Sequence, residues 1–284
     1  MNYRHGFHAG NFADLAKHAA TLSFLRALRA GARPLKVVDT HAGAGFYDLS
    51  DETFARSKEA EAGIKYLLGQ DVPTSLKALS DYVWAKNKQS GFSTRIGIYP
   101  GSPTLIMDNL PAGGDYVGCE LRPDDYELLK DRIAVRGGKA LHADGYDTVI
   151  GMAESPKDLF ILIDPPFEKF EDYERINETL AAVLAVKPDA KALVWLPLKD
   201  LETLDRFLRH MECALLEDQT GHAPVIDVAE LRLRPLTNPL KMNGCALVGI
   251  NTPPEVLADI EAIAQDVTTV FGEAGGKAQV WRLD

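Results

Sequence analysis

The stretch LKVVDTHAGAG, residues 35–45, begins as an apolar run and ends in a loop that contains Gly43 and Gly45. Glycine lets a backbone turn sharply and approach a ligand closely, because it has no Cβ. The stretch therefore predicts a buried strand followed by a ligand-binding loop. It is a weak dinucleotide fingerprint, because Asp48 stands where the third glycine of Gly-x-Gly-x-x-Gly would be.

Apolar runs and helical patterns alternate along the rest of the chain. Apolar positions at helical spacing predict a helix over residues 12–30, which ends before Gly31 and Pro34. The alternation predicts an α/β fold: a doubly wound, mostly parallel sheet with helices on both faces and with the last strands antiparallel at one edge. Further strands are predicted at residues 94–99, 115–121, 138–142, 158–163, 191–196, 212–217, 225–234, 244–250 and 277–283.

One domain is predicted over residues 1–284, because no Gly/Ser linker or internal repeat divides the chain. The segment between the glycine loop and Arg95 is longer than a usual strand-to-helix connection and has helical patterning. We interpret residues 46–92 as an inserted helical subdomain and residues 1–34 as a basic amino-terminal segment.

The charge is unevenly distributed. A formal net charge of -10 argues against a protein that coats nucleic acid regardless of sequence. Residues 1–36, however, contain six Lys or Arg residues and one Asp, a local charge of +5 that leaves -15 for the remainder. We interpret Tyr3, Arg4, His5 and Arg33 as one face that anchors RNA phosphates beside the site. The alternative is a solvated amphipathic helix that happens to be basic.

Composition limits the remaining possibilities. A hydrophobic content of 46% indicates a folded globular protein, and no apolar run of about 18 residues predicts a membrane span. The first residues lack the layout of a secretory signal, so we expect a cytoplasmic protein. Cys119, Cys213 and Cys245 are far apart in sequence, which argues against a zinc site or a disulfide framework. We expect no metal and a monomer.

The tetrapeptide Asp164-Pro165-Pro166-Phe167 follows the apolar run of residues 159–163. It places a carboxylate, a backbone carbonyl and an aromatic ring on one rigid turn. These groups could hold the exocyclic amine of a base, with Asp164 and the Pro165 carbonyl accepting its two hydrogens and Phe167 stacking on the ring. An ordinary strand-ending turn is the alternative.

Two further acids stand at the ends of predicted strands. Glu120 could accept both hydroxyls of a ribose, and Asp144, followed by Gly145, could accept from an adenine amino group. Each acid alone is more typical of a solvated turn residue, because acids are mostly exposed.

Five blocks of sequence resemble, in order, the RlmJ family of 23S ribosomal RNA adenine 6-amino methyltransferases. They are Tyr3–Asn11, Asp14 with Lys17-His18, Asp39–Gly45, Tyr99–Pro103 and Asp164–Phe167. The resemblance covers nearly the whole chain. It implies a Rossmann-like class I methyltransferase fold, S-adenosylmethionine as the methyl donor and 23S rRNA as the partner.

The resemblance also implies roles for individual residues. The expected donor-pocket residues, with Gly43 added from the glycine loop, are Lys17, His18, His41, Gly43, Ser102, Glu120, Asp144, Gly145 and Asp164. Asp164 is the expected catalytic carboxylate, and the expected substrate-binding residues are Tyr3, Arg4, His5, Pro165 and Phe167. Phe167 departs from the family's tyrosine, which keeps ring stacking but removes any hydroxyl hydrogen bond.

Other classes remain open at this point. A protein-glutamine methyltransferase uses a similar turn, but usually with Asn at the place of Asp164. A nicotinamide dehydrogenase would share the sheet and Glu120 but would not explain Asp-Pro-Pro-Phe. A non-catalytic or DNA-directed nucleic-acid-binding protein, which serves the use of external DNA, is the third alternative. The loop at residues 238–243 could face RNA or be an ordinary polar loop.

Overall fold

The structure, a computed structural model, describes residues 5–29, 31, 33–51, 57–217, 223–237 and 242–283, with only the backbone at residues 5 and 217. The strands are β1 Leu35–Asp39, β2 Phe46–Asp48, β3 Ile98–Pro100, β4 Asp115–Cys119, β5 Lys139–Leu141, β6 Asp158–Ile163, β7 Lys191–Leu198, β8 Ile226–Arg232, β9 Gly244–Ile250 and β10 Lys277–Leu283. The main helices are α1 Phe12–Leu28, α2 Thr74–Gln89, α3 Ser102–Asn109, α4 Pro123–Ala134, α5 Gly145–Ile150, α6 Glu171–Val186, α7 Leu201–Glu212 and α8 Pro254–Phe271.

The main sheet has the strand order β10-β8-β9-β7-β6-β1-β4-β5. Strands β7, β6, β1, β4 and β5 are parallel, and β9, β8 and β10 continue the sheet antiparallel. The prediction of an α/β fold with a mostly parallel sheet and an antiparallel edge is confirmed. The carboxyl ends of the parallel strands meet along one side, here called the carboxyl edge, where open sheets of this kind bind ligands.

Helices cover both faces of the sheet, so the central strands are apolar on both sides. The side chains of β6 show this by alternation: Phe160 and Leu162 belong to the apolar cluster beneath α1, whereas Ile161 and Ile163 belong to the cluster beneath α6. The Phe160 ring stacks on that of Phe24 in α1, with a centroid distance of 4.7 Å.

The insertion between β2 and β3 contains the helical segments Glu61–Lys65 and Tyr66–Leu68 and the helix α2. Its side chains Ile64, Leu76 and Val83 lie in the same apolar cluster as α1. The Ile64 amide donates to the Gly10 carbonyl at 2.8 Å, which ties the insertion to the amino-terminal segment. That residues 46–92 form a subdomain stays a prediction.

Two strand predictions differ from the structure. Residues 212–217 are not a strand, because Cys213–Glu217 continues α7 as a wide helical turn. The buried side chains Leu204, Phe207, Met211 and Leu215 repeat at helical spacing, which a short apolar run considered alone does not reveal. The strand predicted at 94–99 is the shorter β3, and its partner β2 was missed, because three residues show no recognisable period.

No helix in the described part of the chain is long and apolar enough to cross a membrane. Cys119 and Cys245 are buried, Cys213 is exposed, and none of the three forms a disulfide within the described residues. The described residues contain no group of three side chains that could hold a metal ion.

Candidate active site

Most of the predicted donor-pocket residues line one cleft of about 660 Å³ at the carboxyl edge, here called the glycine-loop cleft. Its walls come from α1, from the loop after β1, from the start of α3 and from the residues that follow β4 and β6. The predicted residues that line it are Lys17, His18, His41, Gly43, Ser102, Glu120, Gly145 and Asp164. The chain thus brings together residues that are far apart in sequence, because parallel strands end along the same edge.

Glu120 follows β4 and presents a fixed carboxylate to this cleft. The Gly43 amide donates to its Oε2 at 2.9 Å, and the Arg122 amide donates to its Oε1 at 2.7 Å. Burial raises the pKa of Glu120, while the two backbone hydrogen bonds act in the opposite direction. The result is an oriented acceptor of the kind that binds a ribose diol.

The loop after β1 requires glycine at Gly43. The backbone there has φ +61°, and a Cβ would lie 2.4 Å from the hydroxyl oxygen of the buried Tyr47. Arg132 holds the loop from outside, because its Nη1 donates to the Ala44 carbonyl at 2.9 Å and also to the Phe46 carbonyl. The loop is therefore fixed in a turn that has no side chain at position 43.

Lys17 is bound between two carboxylates. Its Nζ donates to Asp14 Oδ1 at 2.9 Å and to Asp164 Oδ2, and α1 begins at the cap residue Asn11, which places Lys17 near the amino end of that helix. Burial alone would lower the pKa of Lys17, but Asp14 and Asp164 outweigh it and raise the pKa above its usual range. Lys17 is thus a buried ammonium that orients Asp164.

The two histidines of the cleft differ in their surroundings. His18 pairs its Nδ1 with the Tyr99 hydroxyl at 2.8 Å, and the two rings stack with centroids 5.5 Å apart. His41 contacts the Tyr146 ring edge-on at 4.9 Å. Burial lowers the pKa of His41 to about 4, so this imidazole is neutral near pH 7.

Ser102 is held by a buried acid that sequence reasoning did not select. Its Oγ donates to Asp39 Oδ2 at 2.7 Å, and the Tyr116 hydroxyl donates to the same oxygen at 3.1 Å. Burial raises the pKa of Asp39 to about 6, even though both hydrogen bonds act to lower it.

Asp144 stands beside the cleft and is not among the residues that line it. Its carboxylate caps α5 by accepting from the Tyr146 amide at 2.9 Å, and it pairs with Arg175 at 2.6 Å. Burial raises the pKa of Asp144, but the hydrogen bonds and the charge of Arg175 outweigh it, so the pKa is lowered. A contact between Asp144 and the donor stays a prediction.

A second cavity of about 880 Å³, here called the Pro-Pro cavity, lies on the other side of Asp164. Its lining residues are His8, Asn11, Ala13, Asp14, Lys17, Glu59, Asp164, Pro165, Pro166, Phe167, Trp195, Pro197, Lys199 and Met242. Lys17, Asp164 and Pro166 line both spaces. The Asp164 carboxylate therefore stands in the wall where the two spaces meet.

Phe167 has φ +47°, a left-handed backbone conformation that residues other than glycine rarely adopt. Such strain in a residue other than glycine persists where the surrounding structure enforces it, and it is common at functional sites. Its ring packs at 4.7 Å from that of Tyr173 and at 5.9 Å from that of Trp195. This arrangement holds the Phe167 ring in the wall of the Pro-Pro cavity.

Several lining residues of this cavity, among them Glu59, Trp195 and Lys199, were not selected by sequence reasoning. Glu59 accepts from Asn11 Nδ2 and pairs with His8 Nδ1, each at 2.8 Å. The hydrogen bond and the charge of Glu59 raise the pKa of His8 against the effect of burial. Trp195 and Lys199 complete the opposite wall. Only Lys199 had a recognisable signal, because it is a polar residue shortly after a predicted strand.

The sequence predicts one RNA-binding face formed by Tyr3, Arg4, His5 and Arg33. The first three residues lie wholly or partly outside the described ranges, and the prediction for Arg33 is wrong. Tyr3 and Arg4 lie outside the described ranges, and only the backbone of His5 is described. Arg33 cannot share a face with the site, because it precedes β1 at the opposite edge and pairs with Asp158 and Asp189. In the 238–243 loop, residues 238–241 also lie outside the described ranges.

The residues that line the glycine-loop cleft fit S-adenosylmethionine in their chemistry. Glu120 offers acceptors for ribose hydroxyls, Gly43 leaves room for a ligand, and Asp164 lines the cleft with a carboxylate that would attract a sulfonium. This donor set matches the cofactor that the sequence blocks implied.

Comparisons with known proteins agree with the geometry. A model of the family "Ribosomal RNA large subunit methyltransferase D, RlmJ" matches residues 32–283. The ribosomal RNA large subunit methyltransferase J of Escherichia coli is 30% identical, covering 89% of this chain and 88% of that protein. The Haemophilus influenzae protein of the same name is 27% identical, with the same coverage.

Among solved structures, the crystal structure of a Legionella pneumophila protein has a TM-score of 0.84 and 27% identity, covering 96% of this chain and 98% of that one. The family resemblance of the five sequence blocks is confirmed. The chain therefore belongs to the RlmJ family of ribosomal RNA large subunit methyltransferases, and it is an rRNA methyltransferase that uses S-adenosylmethionine.

Proposed function

We propose that this protein methylates the exocyclic 6-amino group of an adenine in 23S rRNA. One observation carries the proposal: Asp164 lies in the wall shared by the glycine-loop cleft and the Pro-Pro cavity. A donor held in the cleft and a base held in the cavity would meet at this carboxylate. Methyl transfer requires such a meeting, because the reacting atoms must come within about 3–3.5 Å.

Asp164 accepts one hydrogen of the adenine amino group. Lys17 donates to its Oδ2. Among the described residues, none donates a hydrogen bond to Oδ1, so this oxygen is left for the substrate. The Pro165 carbonyl accepts the second hydrogen, and the two contacts draw the nitrogen lone pair out of conjugation with the ring. When bound, S-adenosylmethionine supplies an electrophilic methyl group. The carboxylate and the carbonyl hold the nitrogen toward it.

The apolar walls of the Pro-Pro cavity hold the base. An adenine must leave its stack to enter, at a cost of about a few kcal/mol. Stacking on Phe167 recovers part of this cost, since base–aromatic stacking contributes roughly 1–3 kcal/mol. Trp195 adds a second aromatic surface near the Phe167 ring. Tyr3, Arg4 and His5 are included as substrate-binding residues on the family resemblance alone.

The donor is held by the residues of the glycine-loop cleft. Glu120 would accept the ribose hydroxyls, and Gly43 would leave room for the ligand beside the loop. His18, His41, Ser102 and Gly145 line the cleft, and Asp144 would accept from the adenine amino group of the donor. Lys17 acts through Asp164, which it orients by a hydrogen bond. The chain is expected to work as a monomer in the cytoplasm. Light scattering after gel filtration measures its oligomeric state.

A labelled-methyl assay tests the proposal. The purified protein is incubated with labelled donor and with deproteinised 23S rRNA, DNA or protein, and the RNA is then digested to nucleosides. We expect labelled N6-methyladenosine from the RNA alone. Label in DNA, in protein glutamine or in another nucleoside would instead support one of the other classes.

The variant Asp164→Ala tests the role of the carboxylate in the same assay. We expect it to lose methyl transfer while donor binding stays measurable by calorimetry, because Glu120 and the glycine loop are unchanged. The matched control is Asp81→Ala, whose carboxylate pairs with Lys77 on an exposed surface and lines neither space. Near-normal turnover in Asp164→Ala would refute the role.

A further inference from the structure

Lys199 is an exposed cation on the rim of the Pro-Pro cavity. It lines the wall opposite α1, directly after β7, and its side chain is exposed. Among the described residues, no carboxylate pairs with its ammonium group. The proposed catalytic roles make no use of this cation, although it lines the cavity in which the proposed function places the base.

The backbone of Lys199 is fixed on both sides. Asn243 is fully buried; its Nδ2 donates to the Lys199 carbonyl at 2.9 Å, and its amide donates to the Leu198 carbonyl at 2.8 Å. On the other side, Asp200 caps α7 by accepting from the Thr203 amide at 2.7 Å. The chain therefore holds the Lys199 Cα at the cavity rim, while the side chain stays free to reach outward.

The charge of the cavity wall makes this position informative. The cavity wall contains three carboxylates, from Asp14, Glu59 and Asp164. Its basic groups near them are the Lys17 ammonium and the His8 imidazole. Each of these charges has a partner within the group. A polyanion approaching the cavity would therefore meet no surplus of positive charge from these five residues. Lys199 supplies a positive charge at the rim without a carboxylate partner.

We propose that Lys199 binds a backbone phosphate of the RNA next to the nucleotide whose base enters the Pro-Pro cavity. This inference rests on the proposed function, which makes the cavity the base-binding space. A flipped nucleotide stays joined to the strand by two phosphates, and these must remain outside a cavity lined by prolines and aromatic rings. A lysine fixed at the rim matches that requirement, because phosphate contacts set the position of a nucleic acid while the base contacts select it.

The variant Lys199→Ala tests the contact, with Lys199→Arg as the charge-preserving form. The matched control is Lys191→Ala, because Lys191 starts the same strand at the opposite edge, roughly 25 Å away by strand rise. RNA affinity is measured by fluorescence anisotropy with a labelled fragment of 23S rRNA that the parent protein methylates, at several salt concentrations.

For Lys199→Ala we expect an RNA Kd about threefold to tenfold higher than that of the parent and a salt slope smaller by about 0.7 to 1. KM for RNA should rise in step, whereas kcat should fall less than twofold and the Kd for S-adenosylmethionine should not change. Lys199→Arg should bind RNA nearly as the parent does. Lys191→Ala should match the parent in every measurement.

A neutral phosphate identifies the partner directly. Synthetic RNAs that carry one methylphosphonate linkage at successive positions around the target adenine are bound to the parent and to Lys199→Ala. At one linkage, neutralisation should weaken binding to the parent but not to the variant. Equal weakening of both proteins at every linkage, or a Lys199→Ala variant that binds unmodified RNA like Lys191→Ala, would overturn the proposal. Failure of the parent to methylate any RNA would instead refute the proposed function.

Discussion

Replacing Lys17 by methionine tests the buried charge arrangement at the site. The substitution keeps the apolar stem and removes an ammonium group that contacts Asp14 and Asp164. The Lys17 and Asp14 side chains are each only 4% exposed, and that of Asp164 is 15% exposed, so water replaces the lost contacts poorly. Breaking a buried ion pair typically costs about 3–5 kcal/mol. A domain stable by about 5–15 kcal/mol would lose a large part of its free energy of unfolding.

Urea unfolding measures this loss, and two further variants identify its cause. Adding Asp14→Asn to Lys17→Met removes one uncompensated carboxylate, so the double variant should regain about 1–3 kcal/mol. Methyl transfer should stay lost in both, because Asp164 is no longer oriented. Lys77→Met is the control, since Lys77 pairs with Asp81 on an exposed surface and should change stability by less than about 1 kcal/mol. A Lys17→Met variant within about 1 kcal/mol of the parent would refute the reasoning.

Three further predictions concern single residues. Burial raises the pKa of Asp39 from 3.8 to about 6. The folded protein therefore binds this proton more tightly than the unfolded chain does, which adds to the free energy of unfolding below about pH 4. This added stability is lost as the pH rises through 6. Asp39→Asn should therefore gain up to about 3 kcal/mol over the parent between pH 4 and 7 in urea unfolding, and a gain independent of pH would contradict the cause. Glu59→Gln should lower the pKa of His8 toward 6.5 in an NMR titration, and an unmoved midpoint would exclude their hydrogen bond as the cause. Gly43→Ala should weaken donor binding more than tenfold, because the added Cβ would clash with the Tyr47 hydroxyl. The control Gly91→Ala also has a positive φ, +86°, but no atom within 4 Å, and it should bind the donor normally. Equal affinities of the two variants would show that the loop tolerates the added Cβ.

The sequence alone predicts the parts of the fold whose residues are apolar on both faces. The strand at residues 158–163 has its predicted bounds, because its uninterrupted apolar run is followed by Asp164 and two prolines. The helix at Cys213–Glu217 escaped prediction for the opposite reason: five residues are too few to show a helical period, and their place is set by continuation of α7. β2 is shorter still and exists through its pairing with β3.

Some residues of the site could likewise be selected from the sequence, whereas others depend on tertiary packing. Glu120 and Asp164 could be selected because each follows the end of a strand, where the fold concentrates ligands. The contact between Lys17 and Asp164 joins residues 147 positions apart and depends on how α1 packs on the sheet. The positive φ of Phe167 and the place of Trp195 in the cavity likewise depend on tertiary packing. Arg33 was assigned to the wrong edge, because local charge does not say which end of a strand it precedes.

A crystal structure with S-adenosylhomocysteine and adenosine monophosphate tests the central claim most directly. The account predicts the product's ribose on Glu120 in the glycine-loop cleft and the nucleotide's base in the Pro-Pro cavity. The 6-amino nitrogen should lie about 3 Å from Asp164 Oδ1 and face the sulfur. A base bound elsewhere, or an amino group turned away from Asp164 with the sulfur remote from it, would contradict the account.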